Sequence, residues 1–136
     1  MAAIRTIVVG LGITGLSCVR YFVRNGEGAN LTVVDTRPTP PAIDVLRAEY
    51  PEVAVLTGVS ELDFTDVNRL VVSPGVALDD DLLAGCPSDV QIVSDIDLFC
   101  EAAAAPVVAV TGTNGKSTVT ALVGHLLNAA GVRTQV

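Results

Sequence analysis

Two glycine-bearing segments hold the residues of this chain whose types and spacing could do chemistry. The first, Gly10-Leu11-Gly12-Ile13-Thr14-Gly15, fits G-x-G-x-x-G and stands between an apolar β-branched run and a helical stretch. In such a junction the first glycine permits the tight turn. The second lets a phosphate approach the backbone, and the third lets helix and strand pack closely. The helix N-terminus behind it offers N–H donors and the positive end of a dipole to an anion. Asp35, twenty residues beyond Gly15, stands where a dinucleotide fold has its ribose-binding acid. The motif names a diphosphate better than it names a nicotinamide cofactor, because nucleotide sugars share that anionic core. The second segment is Gly112-Thr113-Asn114-Gly115-Lys116-Ser117-Thr118, led by Thr111. Its Gly-Lys-Ser end suits a nucleoside triphosphate. Backbone N–H groups cradle the phosphates, Lys116 reaches the β- and γ-phosphates, and the Ser117 hydroxyl faces Mg2+. The general phosphate-loop spacing G-x-x-x-x-G-K-[ST] asks for glycine at position 110, where this chain has Val110, so the loop is a shorter form. The bland alternatives are glycines that merely permit turns, a solvated Asp35 at a strand end and a surface charge at Arg37. A strand before and a helix after each motif favour ligand sites over these.

Those motifs need elements to aim them. Ile4 to Val9 reads as a buried strand, followed by a helix from Gly15 to Arg24 with Leu16, Val19, Phe22 and Val23 on one face. Leu31 to Val34 is a second strand ending at Asp35, and Pro40-Pro41 suits the start of a helix that runs to about Tyr50. Val53 to Leu56, Leu70 to Val72 and Gln91 to Val93 are further strands, the fourth ending at Ser73-Pro74-Gly75. Continuous apolar strands alternating with helices predict α/β architecture, a parallel sheet with helices on its faces. Ser94 and Asp97 have the spacing of a capping box, predicting a short helix to about Ala103. After Pro106 a second unit begins. Val107 to Val110 is a strand, and a helix from Lys116 to about Ala130 has Val119, Leu122, Val123, Leu126 and Leu127 in one stripe, with Gly131 as its stop. Arg133 to Val136 starts another strand. The predicted organisation is residues 1–94 as one domain, 95–106 as a linker helix, and 107–136 as the beginning of a second domain that is incomplete at Val136.

The composition narrows the function classes. The chain has 136 residues, half of them hydrophobic, and a net charge of −7. That charge argues against a nucleic-acid partner, which selects for a basic patch. Any phosphate must therefore be held by local donors. Cys18, Cys86 and Cys100 are odd in number and widely spaced, which fits reduced cytoplasmic thiols and not a zinc site. The apolar run from Ile7 to Val19 contains three glycines and is shorter than the roughly 20 residues of a spanning helix. The start Met1-Ala2-Ala3-Ile4-Arg5 lacks the basic region of a leader. No membrane insertion is expected, and the expected location is cytoplasmic.

Thr-Gly-Thr-Asn-Gly-Lys-Ser-Thr at 111–118 resembles the ATP loop of the Mur ligase family. Gly10 to Ser17, Asp35-Thr36-Arg37 with Pro40-Pro41, Ser73-Pro74-Gly75 and Asp95-Ile96-Asp97-Leu98-Phe99 are similar to the D-glutamate-adding branch of that family. The resemblance runs the whole length of the chain. It implies a Rossmann-like UDP-substrate-binding domain followed by the truncated start of a P-loop ATPase domain. It also implies an ATP- and Mg2+-dependent, ADP-forming amide-bond ligase whose partners are UDP-N-acetylmuramoyl-L-alanine and D-glutamate. Such a ligase serves peptidoglycan synthesis, and through it cell-wall biogenesis, cell shape, division and the cell cycle. Carried over by matching motif, Ile13 and Thr14 contact the diphosphate region, Asp35, Thr36 and Arg37 surround the uracil side, and Ser73, Pro74 and Gly75 line the same cleft. Gly112, Thr113, Asn114, Gly115, Lys116, Ser117 and Thr118 bind ATP, with Lys116 as the catalytic residue and Ser117 as a Mg2+ ligand. The D-glutamate pocket and further metal ligands are expected beyond Val136, so this chain alone is expected to catalyse nothing. His125, the single histidine, lies one position off the apolar stripe and reads as a helix-surface residue. Folylpolyglutamate synthases share a similar loop but usually carry glycine where this chain has Ser117. Two alternatives stand beside the ligase reading: an NAD(P)-dependent oxidoreductase domain, resting on the first motif and Asp35, and a non-catalytic nucleotide-binding module.

Overall fold

The computed structural model describes residues 4–77 and 81–136. Residues 1–3, at the start read above as lacking a leader, lie outside the described residues. The described chain forms two compact units, one ending at Ala102 and one running from Ala103 to Val136.

The first unit is a five-stranded sheet in the order β3-β2-β1-β4-β5. Its strands are β1 (Thr6–Val9), β2 (Leu31–Asp35), β3 (Ala54–Thr57), β4 (Arg69–Val72) and β5 (Gln91–Val93). All four pairings are parallel. Helix α1 (Ile13–Arg24) joins β1 to β2, α2 (Ile43–Glu49) joins β2 to β3, and α3 (Asp95–Ala102) follows β5. The apolar strand runs are continuous because both faces of the sheet are covered. Alternate residues of one strand belong to different cores. Val8, Val33 and Val71 pack with Leu16, Val19 and Phe22 of α1, with Ile43 and Leu46 of α2, and with Leu98 of α3. Ile7, Val9, Val34, Leu70 and Val72 face the other way, against Val67 just before β4 and Leu82, Leu83 and Val90 from the connection between β4 and β5.

Helix ends follow the residues present. α1 closes with Gly26 at φ 80, the Gly26 N–H donating to the Val23 carbonyl at 3.0 Å and the Glu27 N–H to Phe22 at 2.9 Å. This is the six-to-one and five-to-two pairing that a left-handed glycine permits. α3 opens with the predicted capping box. Ser94 N–H donates to Asp97 Oδ2 at 2.7 Å, and Asp97 N–H donates to Ser94 Oγ at 3.2 Å. α3 belongs with the first unit, which ends with its last residue, Ala102.

The second unit contains helix α4 (Lys116–Ala129). Gly131, at φ 84, stops it as expected, with its N–H on the Asn128 carbonyl at 3.0 Å and the Val132 N–H on Leu127 at 2.9 Å. Two expectations differ here. Residues 107–110 and 133–136 form no strand, because a strand needs a neighbour to complete its ladder and no pairing partner is present among the described residues. The α4 stripe is also open. Val119, Leu122 and Leu126 are exposed, since a single helix has no second surface to bury against.

Candidate phosphate-binding site

The chain leaves β1 to build β2 and β3 on one side and returns to add β4 and β5 on the other. The reversal between β1 and β4 opens a crevice beyond the carboxyl ends of those strands, the position where open parallel sheets bind ligands. A cleft of about 490 Å3 lies there.

Its floor and walls come from three strand ends. From β1 come Val9, Gly10 and Gly12, with Ile13 and Thr14 on the first turn of α1. From β2 come Asp35, Thr36 and Arg37, and from β4 come Ser73, Pro74, Gly75 and Val76, with Leu82 beyond. All eight residues assigned from sequence to the UDP-substrate site, Ile13, Thr14, Asp35, Thr36, Arg37, Ser73, Pro74 and Gly75, therefore border one cavity. Gly10 and Gly12, read from sequence as part of the phosphate motif, line the cleft beside those eight, as do Val9, Val76 and Leu82, to which the sequence reading gives no ligand role. Leu82, in a short helical turn distant in sequence, had no signal.

The glycine loop is held by backbone contacts that side chains would break. Gly10 has φ 94, and its N–H donates to the Val34 carbonyl at 2.8 Å. Ser73 N–H donates to the Val9 carbonyl at 3.0 Å, and Ser73 Oγ donates to the Gly10 carbonyl at 3.1 Å. Gly15 is the close-packing glycine of the motif, since a Cβ there would lie 1.9 Å from the Gly10 oxygen. α1 starts with Gly12 as N-cap and no side-chain cap. Its first-turn N–H groups thus face the cleft without an internal acceptor, the condition for anion binding at a helix start. Ile13 is 91% exposed at that lip.

Asp35 is the electrostatic centre of the cleft. Its side chain is 3% exposed. Oδ2 accepts the Leu11 N–H at 2.7 Å and Arg37 Nη2 at 2.7 Å, while Oδ1 accepts the Arg37 backbone N–H at 2.8 Å and Nε at 2.9 Å. The Arg37 guanidinium, aided by the two backbone donors, outweighs burial and holds the carboxyl down at about 2. The same contact raises the Arg37 value further above its ordinary range.

The second motif lies in the second unit. Gly112 has φ 150 and Gly115 φ 77, so two of its positions use backbone conformations that favour glycine. Gly115 is the N-cap of α4, which has no side-chain cap. Lys116 Nζ donates to the Gly112 carbonyl at 2.6 Å. Residues 111–119 are all exposed, Ser117 included. Uncapped N–H groups, an ammonium and a hydroxyl suit a polyphosphate with its magnesium ion, which commonly keeps few protein ligands beside phosphate oxygens. No cluster of three or more His, Cys, Asp or Glu among the described residues is placed to hold a metal ion.

A parallel sheet with a glycine loop and an uncapped helix at its switch point defines a Rossmann-like domain. Residues 4–94 match the family model for the Mur ligase MurD-like N-terminal domain, and the chain belongs to that family. It is 49% identical over 134 residues to the UDP-N-acetylmuramoylalanine–D-glutamate ligase of Marinobacter nauticus, a match covering 97% of this chain and 30% of that protein. It is 46% identical over 131 residues to the ligase of the same name from Salmonella typhi, covering 96% and 29%. The chain thus spans about 30% of the length of these curated relatives. Among solved structures, a pseudomurein peptide ligase type C from Methanothermus fervidus matches with a TM-score of 0.55 at 22% identity, over 93% of this chain and 26% of that one. This last likeness concerns the fold alone. No helix among the described residues is long and apolar enough to cross a membrane.

Proposed function

We propose that the cleft between β1, β2 and β4 holds the uridine diphosphate end of UDP-N-acetylmuramoyl-L-alanine, and that residues 112–118 begin the ATP loop of a ligase that joins D-glutamate to it. The observation that carries the reading is the convergence of eight motif residues from three strand ends on one cavity. The first turn of α1 supplies donors to the diphosphate, Ser73 anchors the loop that presents them, and Asp35 with Arg37 forms the wall on the base side. In the second unit Lys116 neutralises charge on the β- and γ-phosphates, Gly112 and Gly115 let the backbone approach them, and Ser117 offers its hydroxyl to Mg2+. The alanyl carboxylate takes the γ-phosphoryl group of ATP to give an acyl phosphate and ADP, and the amine of D-glutamate then displaces inorganic phosphate, losing a proton, to form the amide. The work belongs to the cytoplasm, in peptidoglycan synthesis.

Gly12→Asp tests the first half. A Cβ at Gly12 meets nothing within 4 Å, its φ of −100 accepts any residue, and aspartate is a good N-cap. The variant should unfold at an unchanged or higher temperature. Its carboxylate occupies the diphosphate end, so UDP affinity should fall at least about tenfold. Unchanged UDP binding would place the diphosphate elsewhere.

A further inference from the structure

In a dinucleotide fold the acid at the end of the second strand accepts hydrogen bonds from the ribose hydroxyls. Asp35 has that position, and the family resemblance puts it beside uracil. Its contacts give it different work. An ionised carboxylate has about four acceptor positions, and here four donors fill them: Leu11 N–H and Arg37 Nη2 on one oxygen, Arg37 N–H and Nε on the other. The carboxylate is also almost fully buried, while the Arg37 side chain is 53% exposed.

We propose that Asp35 is a positioning residue, one that acts on the nucleotide only through Arg37 and the glycine loop and offers the ligand no acceptor of its own. The inference rests on the uridine diphosphate reading of the cleft. Two constraints come from one side chain. The Leu11 contact ties the loop of β1 to the end of β2, alongside the Gly10 N–H on the Val34 carbonyl at 2.8 Å. The two-pronged contact through Nε and Nη2 fixes the guanidinium plane of Arg37, which itself lines the cleft. A nucleotide whose recognition depends on a ribose-diol acceptor at this strand end, as NAD(H) does, finds that acceptor already used. Discrimination against dinucleotides is thereby built into the spacing of Asp35 and Arg37.

The test uses this chain with UDP and 2′-deoxy-UDP as probes, and the variants Asp35→Asn, Arg37→Ala and the double substitution. Each affinity is measured at a temperature where circular dichroism shows the variant folded. Asp35→Asn and Arg37→Ala should each weaken UDP about tenfold, and the double variant should lose clearly less than the product of the two, because the residues act as one unit. The ratio of UDP to 2′-deoxy-UDP affinity should agree within about twofold between the unaltered chain and Asp35→Asn. Multiplicative losses, or a preference for the 2′-hydroxyl that disappears in Asp35→Asn, would overturn the proposal. Should Asp35→Asn fail to fold, hydrogen exchange on the unaltered chain decides. The Leu11 amide and Arg37 Nε–H should stay protected at saturating UDP, and loss of protection at either would show the carboxylate turning to the ligand. Failure of the unaltered chain to bind UDP would instead remove the substrate assignment itself.

Discussion

Gly15 and Asp35 show how single residues shape the cleft. A methyl group at Gly15 would meet the Gly10 oxygen at 1.9 Å, so α1 would have to back away from β1. Gly15→Ala should cost about 1–3 kcal/mol of stability and weaken UDP binding, read by denaturant titration and calorimetry on the same samples. Asp35 sets an acid limit. Its carboxyl is held at about 2, against an ordinary 3.8. A depressed folded value stabilises above the unfolded value, and the contribution is lost as the pH falls from about 4 through about 2. At neutral pH it amounts to at most about 2 kcal/mol, reduced by solvent screening because Arg37 is half exposed. Urea midpoints followed from pH 7 to about pH 2 should drop in that window for the unaltered chain, and Asp35→Asn should flatten the drop. The sequence showed where Asp35 stands, through its distance from the glycine motif. It could not show how the carboxylate is occupied, because that depends on Arg37 folding back two residues onto it.

At the scale of elements, local chemistry and burial on both faces made the first unit legible. The strand runs around Val8, Val33 and Val71 are mostly apolar because alternate positions serve two cores, and such runs stand out in sequence. The start of α3 was equally legible, since Ser94 and Asp97 carry the capping pattern and make both reciprocal bonds. Ser94→Ala should remove about 1 kcal/mol and speed exchange of the Asp97 amide, whose acceptor it deletes. Unchanged exchange would show that the hydroxyl does not hold the helix start. The strands expected at 107–110 and 133–136 mark the limit of this reasoning. Apolar β-branched sequence makes a segment fit to be a strand, but only a neighbouring strand makes it one.

For the whole molecule, the two units differ in how much they bury. The first has a core on each sheet face, whereas α4 buries Gly124 alone and leaves Val119, Leu122 and Leu126 exposed. Proteolysis under native conditions should therefore cut within residues 103–136 well before the first unit. Equal rates in both would mean that the second unit is better packed than its exposure indicates. On the proposed function, Lys116→Ala in a full-length ligase carrying this segment should abolish most ATP-dependent ligation while leaving the affinity for the UDP substrate nearly unchanged, because the proposal assigns the two glycine loops to different phosphates. Equal loss of both would contradict that division.

The central claim is that the cleft at the β1–β4 switch point takes a uridine nucleotide and not a nicotinamide one. Calorimetric titration of this chain with UDP-N-acetylmuramoyl-L-alanine, and separately with NADH, tests it directly. Saturable one-to-one binding of the uridine compound, with no heat from NADH, is the predicted result. Saturable binding of NADH, or indifference to the uridine compound, would contradict the account.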